Sequence, residues 1–74
     1  ITLKINSKIK TKIDVAIYDA LKPESELIVY KNKKIKIGNT NLLIDTDKLQ
    51  LKKGTYVVFL YYNNTQNYYW ITEE

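Results

Sequence analysis

The side chains best suited to a functional role belong to seven aromatic residues near the end of the chain. Such side chains bind ligands by ring stacking. They lie on two segments joined by a short polar stretch: Tyr56, Phe59, Tyr61, Tyr62, Tyr68, Tyr69 and Trp70. If the two segments are paired strands, Tyr61, Tyr69 and Trp70 offer a flat platform for sugar rings or nucleobases. Strand propensity alone favours the alternative, in which the rings are core and cross-strand packing.

Lysines form the second group of candidate binding residues. All twelve basic residues are lysine, and the net charge is +4. Lys8, Lys10 and Lys12 alternate in phase, and four more lysines crowd residues 31–36. Such a stripe beside stacking rings suits single-stranded nucleic acid. However, no arginine is present to read guanine or phosphate with two hydrogen bonds, and edge lysines often serve to prevent aggregation. The residue types therefore weigh against nucleic acid.

The chain offers no recognisable catalytic set. It contains no histidine and no cysteine, so the commonest general base and the usual zinc ligands are missing, and its serines have no histidine partner. Two carboxylate pairs, Asp45 with Asp47 and Glu24 with Glu26, have the spacing of weak calcium ligands. They lack a glycine-containing loop and are better explained as solvated edges. We expect no enzyme activity, no cofactor and no metal site.

Period-two alternation of apolar and polar residues predicts the elements that position these groups. We expect strands at residues 1–6, 12–18, 27–30, 34–37, 42–46, 55–62 and 68–72, with no substantial helix. Turns or loops are expected at residues 6–8, 22–25, 32–33, 38–41 and 63–67. The predicted core is Ile1, Leu3, Ile5, Ile13, Val15, Ile17, Tyr56, Val58 and Leu60. The fold class is therefore all-β: one antiparallel immunoglobulin-like β-sandwich of six to seven strands over residues 1–74.

The lengths of the apolar runs and the residues at the start of the chain indicate whether the protein inserts into a membrane and whether it is part of a longer chain. No apolar run reaches the ~18 residues of a membrane span, and no signal-peptide segment begins at Ile1, so membrane insertion is not expected. The first residue is Ile and not Met. We therefore expect a fragment or a processed piece of a longer protein.

Three segments together carry a resemblance to a known family: residues 13–19, residues 38–45, and residues 49–58. They resemble the C-terminal sorting domain carried by substrates of the type IX secretion system in Bacteroidetes. The residues that match that pattern are Tyr18, Asp19, Gly38, Asn41, Leu49, Gly54 and Tyr56. Two features depart from it, namely Lys22-Pro23 where the family usually has glycine, and an acidic rather than lysine-rich end.

The resemblance implies a non-catalytic recognition module, a sorting or anchoring domain of a secreted bacterial surface protein, located outside the cell or at its surface. Its partner would be the secretion machinery or another surface protein. Recognition is expected at Lys52, Lys53 and the 63–67 loop. Three alternatives stay open: a carbohydrate-binding module, a basic nucleic-acid-binding β domain, and a structural subunit of a surface filament or phage particle whose edge strands pair between copies.

Overall fold

Strands make up 72% of the chain, and the computed structural model describes all of its residues, Ile1–Glu74. The six strands are β1 (Thr2–Ser7), β2 (Thr11–Asp19), β3 (Lys22–Ile35), β4 (Gly38–Leu43), β5 (Gly54–Tyr62) and β6 (Thr65–Glu73). They form two antiparallel sheets, one in the order β3-β2-β5-β6 and the other from β1 and β4. The all-β prediction is confirmed. The fold contains no helix of the length and apolarity needed to cross a bilayer.

The hydrophobic core lies between the two sheets. Alternation turns every second side chain of a strand to the same face, and the apolar series of β2 and β5 meets that of β1 and β4 there. The core cluster contains ten buried residues: Ile5, Ile13, Val15, Ile17, Ile35, Leu42, Ile44, Tyr56, Val58 and Leu60. Both sheets contribute to the cluster, so they pack face to face in a sandwich-like arrangement.

Most of the predicted core residues are buried in this cluster, and two are not. Leu3 is only partly buried against it. Ile1 was wrongly assigned to the core, since 46% of its surface is exposed. The backbone of Ile1 exchanges two hydrogen bonds with Ile44, of 2.9 and 2.7 Å, which fix the residue at the margin of the small sheet. Its side chain borders a shallow recess between β1 and β6 instead of entering the core.

The long strand β3 replaces both the loop predicted at residues 22–25 and the hairpin predicted at residues 32–33. Pro23 is exposed on an edge strand, where its missing N–H costs no ladder bond. Asn32 has a positive φ of 53°, but its N–H donates to the Asp14 carboxylate at 2.8 Å and the chain continues as a strand. The β2–β3 register shifts at three points, which interrupts the period-two pattern.

Two other predicted turns are also corrected. Residues 38–41 begin β4 and pair with β1, where the Asn6 side-chain amide donates to the Asn39 side-chain oxygen at 2.8 Å. The five-residue loop predicted at residues 63–67 is a two-residue turn of Asn63 and Asn64, whose φ angles are 51° and 57°. Two positive φ values are the geometry of a type I′ hairpin, and asparagine tolerates it. β6 therefore begins three residues earlier than predicted.

Candidate functional site

The large sheet has an outer face that the β1–β4 sheet does not cover. Directly paired residues on neighbouring strands share a face, so the register places three rows of side chains there. From β2 through β5 to β6 these rows are Tyr18–Val57–Trp70, Ala16–Phe59–Tyr68 and Asp14–Tyr61–Gln66. We call the four rings of β5 and β6, namely Phe59, Tyr61, Tyr68 and Trp70, the outer aromatic face.

Beneath these rings lie two small buried residues that do not belong to the core cluster. Ala16 is 4% exposed and Val57 is 3% exposed, although both sit on the outer face. Their directly paired neighbours are mostly aromatic, so the rings shield them from water. Phe59 and Tyr68 pack against each other with ring centroids 5.2 Å apart and planes tilted by 54°. The rings of the outer aromatic face therefore form a thin apolar layer of their own.

The same rings stay largely accessible. Trp70 is 70% exposed, Tyr68 is 53% exposed and Tyr61 is 38% exposed. The Tyr61 hydroxyl donates to the Asn64 side-chain oxygen at 3.4 Å, and the Tyr68 hydroxyl donates to the Gln66 side-chain oxygen at 3.3 Å. Apolar ring faces thus lie beside hydrogen-bonding groups at the β5–β6 turn, a combination typical of binding surfaces.

The structure brings together two of the three predicted stacking residues. Tyr61 and Trp70 lie on the outer aromatic face, whereas Tyr69 pairs with Val58 on the opposite face of β6. Phe59 and Tyr68 belong to the face instead. The Asn-Asn pair was the signal that could have given this register, because a two-residue turn fixes every pairing along a hairpin.

The two lysine groups, which are about twenty residues apart in sequence, meet at one end of the molecule. Antiparallel pairing sets Lys12 directly opposite Lys34. The lysines at this basic end are Lys8, Lys10, Lys12, Lys31, Lys33, Lys34 and Lys36. Asp14 is the one carboxylate among them, 3.6 Å from the Lys31 Nζ. Seven lysines and one aspartate give the basic end a net charge of +6, and the remaining five lysines and seven carboxylates give the rest of the molecule −2.

The loop residues expected to carry recognition do not form one site. Lys52 and Lys53 are exposed just before β5, whereas Asn63 and Asn64 follow its last residue. The nine residues of β5 lie between them. One compact ligand therefore cannot contact both groups.

Several residues of the sorting-domain pattern converge on a second recess, at the opposite end of the large sheet from the Asn-Asn turn. It is bordered by Tyr18, Asp19, Leu49 and Tyr56. The Tyr56 hydroxyl donates to the Lys52 carbonyl at 2.8 Å and ties the segment before β5 to the core. The other pattern residues are elsewhere: Gly54 begins β5, and Gly38 and Asn41 lie in β4. We call this the motif recess.

Among the carboxylates considered as calcium ligands, Asp45 has a local structural role, and Glu24 and Glu26 are exposed. Asp45 accepts a hydrogen bond from the Lys48 N–H at 3.2 Å and so caps a short turn. Glu24 and Glu26 are exposed on edge strand β3. No group of three or more carboxylates is placed to hold a metal ion.

In sequence comparison neither a protein-family model nor a curated protein matches this chain, and in structural comparison no solved structure matches it.

Proposed function

We propose that this chain is a non-catalytic recognition module, an immunoglobulin-like β-sandwich that binds carbohydrate through its outer aromatic face. Two antiparallel sheets joined by connections that pass between them support the immunoglobulin-like part of the proposal. Its six strands are one fewer than the seven of a constant-type immunoglobulin domain.

The observation that carries the binding role is the exposure of large rings on a face that no second sheet covers. A soluble domain rarely leaves such rings exposed together unless the surface makes contact with something. A sugar ring can lay its apolar C–H face on an aromatic ring while its hydroxyls bond the polar rim of Asp14, Asn64 and Gln66. Trp70 offers the largest exposed fraction, so it contributes most to binding.

Affinity electrophoresis in gels that contain a soluble β-glucan or xylan, with retention on chitin and cellulose, tests this function. Trp70→Ala weakens binding to the polysaccharide that the wild type recognises by roughly tenfold or more, since the most exposed aromatic ring of the face is lost. Leu21→Ala is the matched control, because Leu21 is 90% exposed but lies in the β2–β3 turn. It leaves binding unchanged.

The dependence of binding on ionic strength distinguishes a neutral polysaccharide from a polyanion. Binding of a neutral sugar to the outer aromatic face barely responds to salt, because no ion pair is made. Binding of a nucleic acid or an acidic polysaccharide at the basic end falls steeply with salt. No retention on any neutral polysaccharide, or binding that disappears between low and physiological salt, contradicts the carbohydrate proposal.

A second candidate, a sorting or anchoring domain of a secreted surface protein, is supported by the motif recess. Asp19 comes from the first segment of the resemblance pattern and Leu49 and Tyr56 come from the third, and all three border one cavity. Recognition by a translocon would then use this end of the molecule and the exposed Lys52 and Lys53 beside it.

A reporter fusion tests the sorting role. Residues 1–74 joined to the C-terminus of a neutral reporter should direct it to the outside of a host with type IX secretion. Lys52→Glu combined with Lys53→Glu lowers export, because it reverses two exposed charges next to the motif recess, whereas Trp70→Ala does not. A stably folded fusion that stays in the periplasm contradicts this candidate.

A further inference from the structure

Strand β6 is an unprotected edge of the large sheet. All nine of its residues pair with β5 in an unbroken register, and no backbone hydrogen bond joins its other side to any strand. The strand contains neither lysine nor proline, and three exposed aromatic side chains lie at its centre: Tyr68, Tyr69 and Trp70. A long, regular and aromatic edge of this kind is a template for pairing with another strand.

The other edges of the fold carry the features that prevent such pairing. The opposite edge, β3, contains Pro23 and four lysines, and three register shifts distort it. β1 and β4 are only six residues long. Charge, proline, irregularity and short length each block edge-to-edge association. Of the two edges of the large sheet, β6 is therefore the one left available.

We propose that β6 pairs antiparallel with β6 of a second copy of this chain about a two-fold axis at Tyr69. Tyr69 is the midpoint of Thr65–Glu73, so this register uses all nine residues of each strand. It sets Tyr69 opposite Tyr69 of the second copy and Tyr68 opposite Trp70 of the second copy. The two large sheets join into one eight-stranded sheet, and the most exposed rings gain cross-strand partners.

Charge complementarity favours a second copy in this antiparallel arrangement. Glu73 and Glu74 lie at one end of β6, and the other end adjoins the basic end, where Lys8 borders a recess with Asn63. Antiparallel pairing therefore sets the acidic end of each copy beside the basic end of the other. Because the two copies are related by a two-fold axis, this contact between an acidic end and a basic end occurs twice in the dimer. A parallel arrangement would bring the two basic ends together, each with a net charge of +6.

This interface goes beyond the proposed function and does not depend on the identity of the ligand. Pairing at β6 makes the outer aromatic faces of two copies continuous across the axis. A long polymer could then contact both copies at once, which raises avidity without any new contact within one copy. Because Tyr69 is on the opposite face of β6 from Trp70, the interface can be altered at Tyr69 without changing a ring of the outer aromatic face.

Sedimentation velocity over a range of roughly 1 µM to 1 mM tests the interface. The wild-type chain shifts from monomer to dimer as its concentration rises. Tyr69→Lys and Tyr69→Glu are each monomeric, since each sets like charges directly opposite at the axis. An equimolar mixture of the two variants associates again, because lysine now faces glutamate, and this recovery shows that both variants fold.

The matched control places a lysine on the other edge strand of the same sheet. Ile28→Lys alters a residue of β3 that is 57% exposed, and it leaves the dimer intact. The proposal is overturned if the wild type is monomeric throughout, if Tyr69→Lys associates as the wild type does, if the mixture of charge variants stays monomeric, or if Ile28→Lys abolishes the dimer.

Discussion

Gly54 shows how a single residue can be required for its backbone alone. Its φ is +149°, and a Cβ built on it would find nothing within 4 Å. The space around it is open, so a side chain would be excluded by conformational strain and not by a clash. Gly54 stands where the chain leaves the irregular segment that contains Lys52 and Lys53 and enters β5, the strand that carries three residues of the core cluster.

Gly54→Ala and Gly54→Val each lower the free energy of unfolding by about 1–2 kcal/mol, because an L side chain is strained at this φ. Urea unfolding followed by circular dichroism measures the change. Thr55→Val is the control, since Thr55 is exposed on the same strand, and it has little effect. Stabilities equal to the wild type for both Gly54 variants would show that β5 can begin without a positive φ.

At the scale of the elements, the β5–β6 hairpin decides which rings share a surface. Its two-residue turn fixes the register that sets Phe59 beside Tyr68 and Val57 beside Trp70. A slip of one residue would exchange the inner and outer faces of β6. Tyr69 would then join the outer aromatic face, and Trp70 would leave it.

Asn64 has a φ of +57°. The stability of the turn should therefore depend on how well the residue at this position tolerates a positive φ. Asn64→Gly keeps or slightly raises stability, because glycine adopts this conformation freely. Asn64→Val costs about 1–2 kcal/mol, since a β-branched residue is strained there. Thermal unfolding of the two variants checks the difference, and equal melting temperatures would contradict the type I′ assignment.

The elements that could be predicted from the sequence are those whose alternation is uninterrupted. β2 and β5 are predictable because their apolar residues keep strict period two, and these residues are buried: Ile13, Val15 and Ile17 in β2, and Val58 and Leu60 in β5. The sequence predicts a loop, a short strand and a hairpin in place of the continuous β3, because the proline and the bulges of β3 break that period. In the candidate site, the sequence predicts which aromatic residues are involved. It does not predict which of them share one face of the sheet, because that depends on the register between β5 and β6.

At the scale of the whole molecule, pairing between distant segments creates a charge asymmetry that no local pattern shows. The lysines at residues 8–12 and 31–36 are separate in sequence, but the β2–β3 pairing unites them at one end of a fold whose longest dimension is 36 Å. The outer aromatic face lies on the same sheet, between the basic end and the motif recess. This arrangement gives the molecule two chemically distinct surfaces, so the salt dependence of binding would distinguish a neutral ligand on the aromatic face from a polyanion at the basic end.

The most direct test of the central claim uses Trp70, the only tryptophan of the chain, as a reporter on the outer aromatic face. Acrylamide quenching of its fluorescence is measured with increasing polysaccharide at protein concentrations low enough to keep the chain monomeric. Since Trp70 is 70% exposed, quenching is efficient in the free protein. If the polysaccharide binds this face, the quenching constant falls to a plateau as the site saturates, and salt does not reverse it. A quenching constant that stays unchanged at saturating concentrations of every polysaccharide tested would contradict carbohydrate recognition through the outer aromatic face.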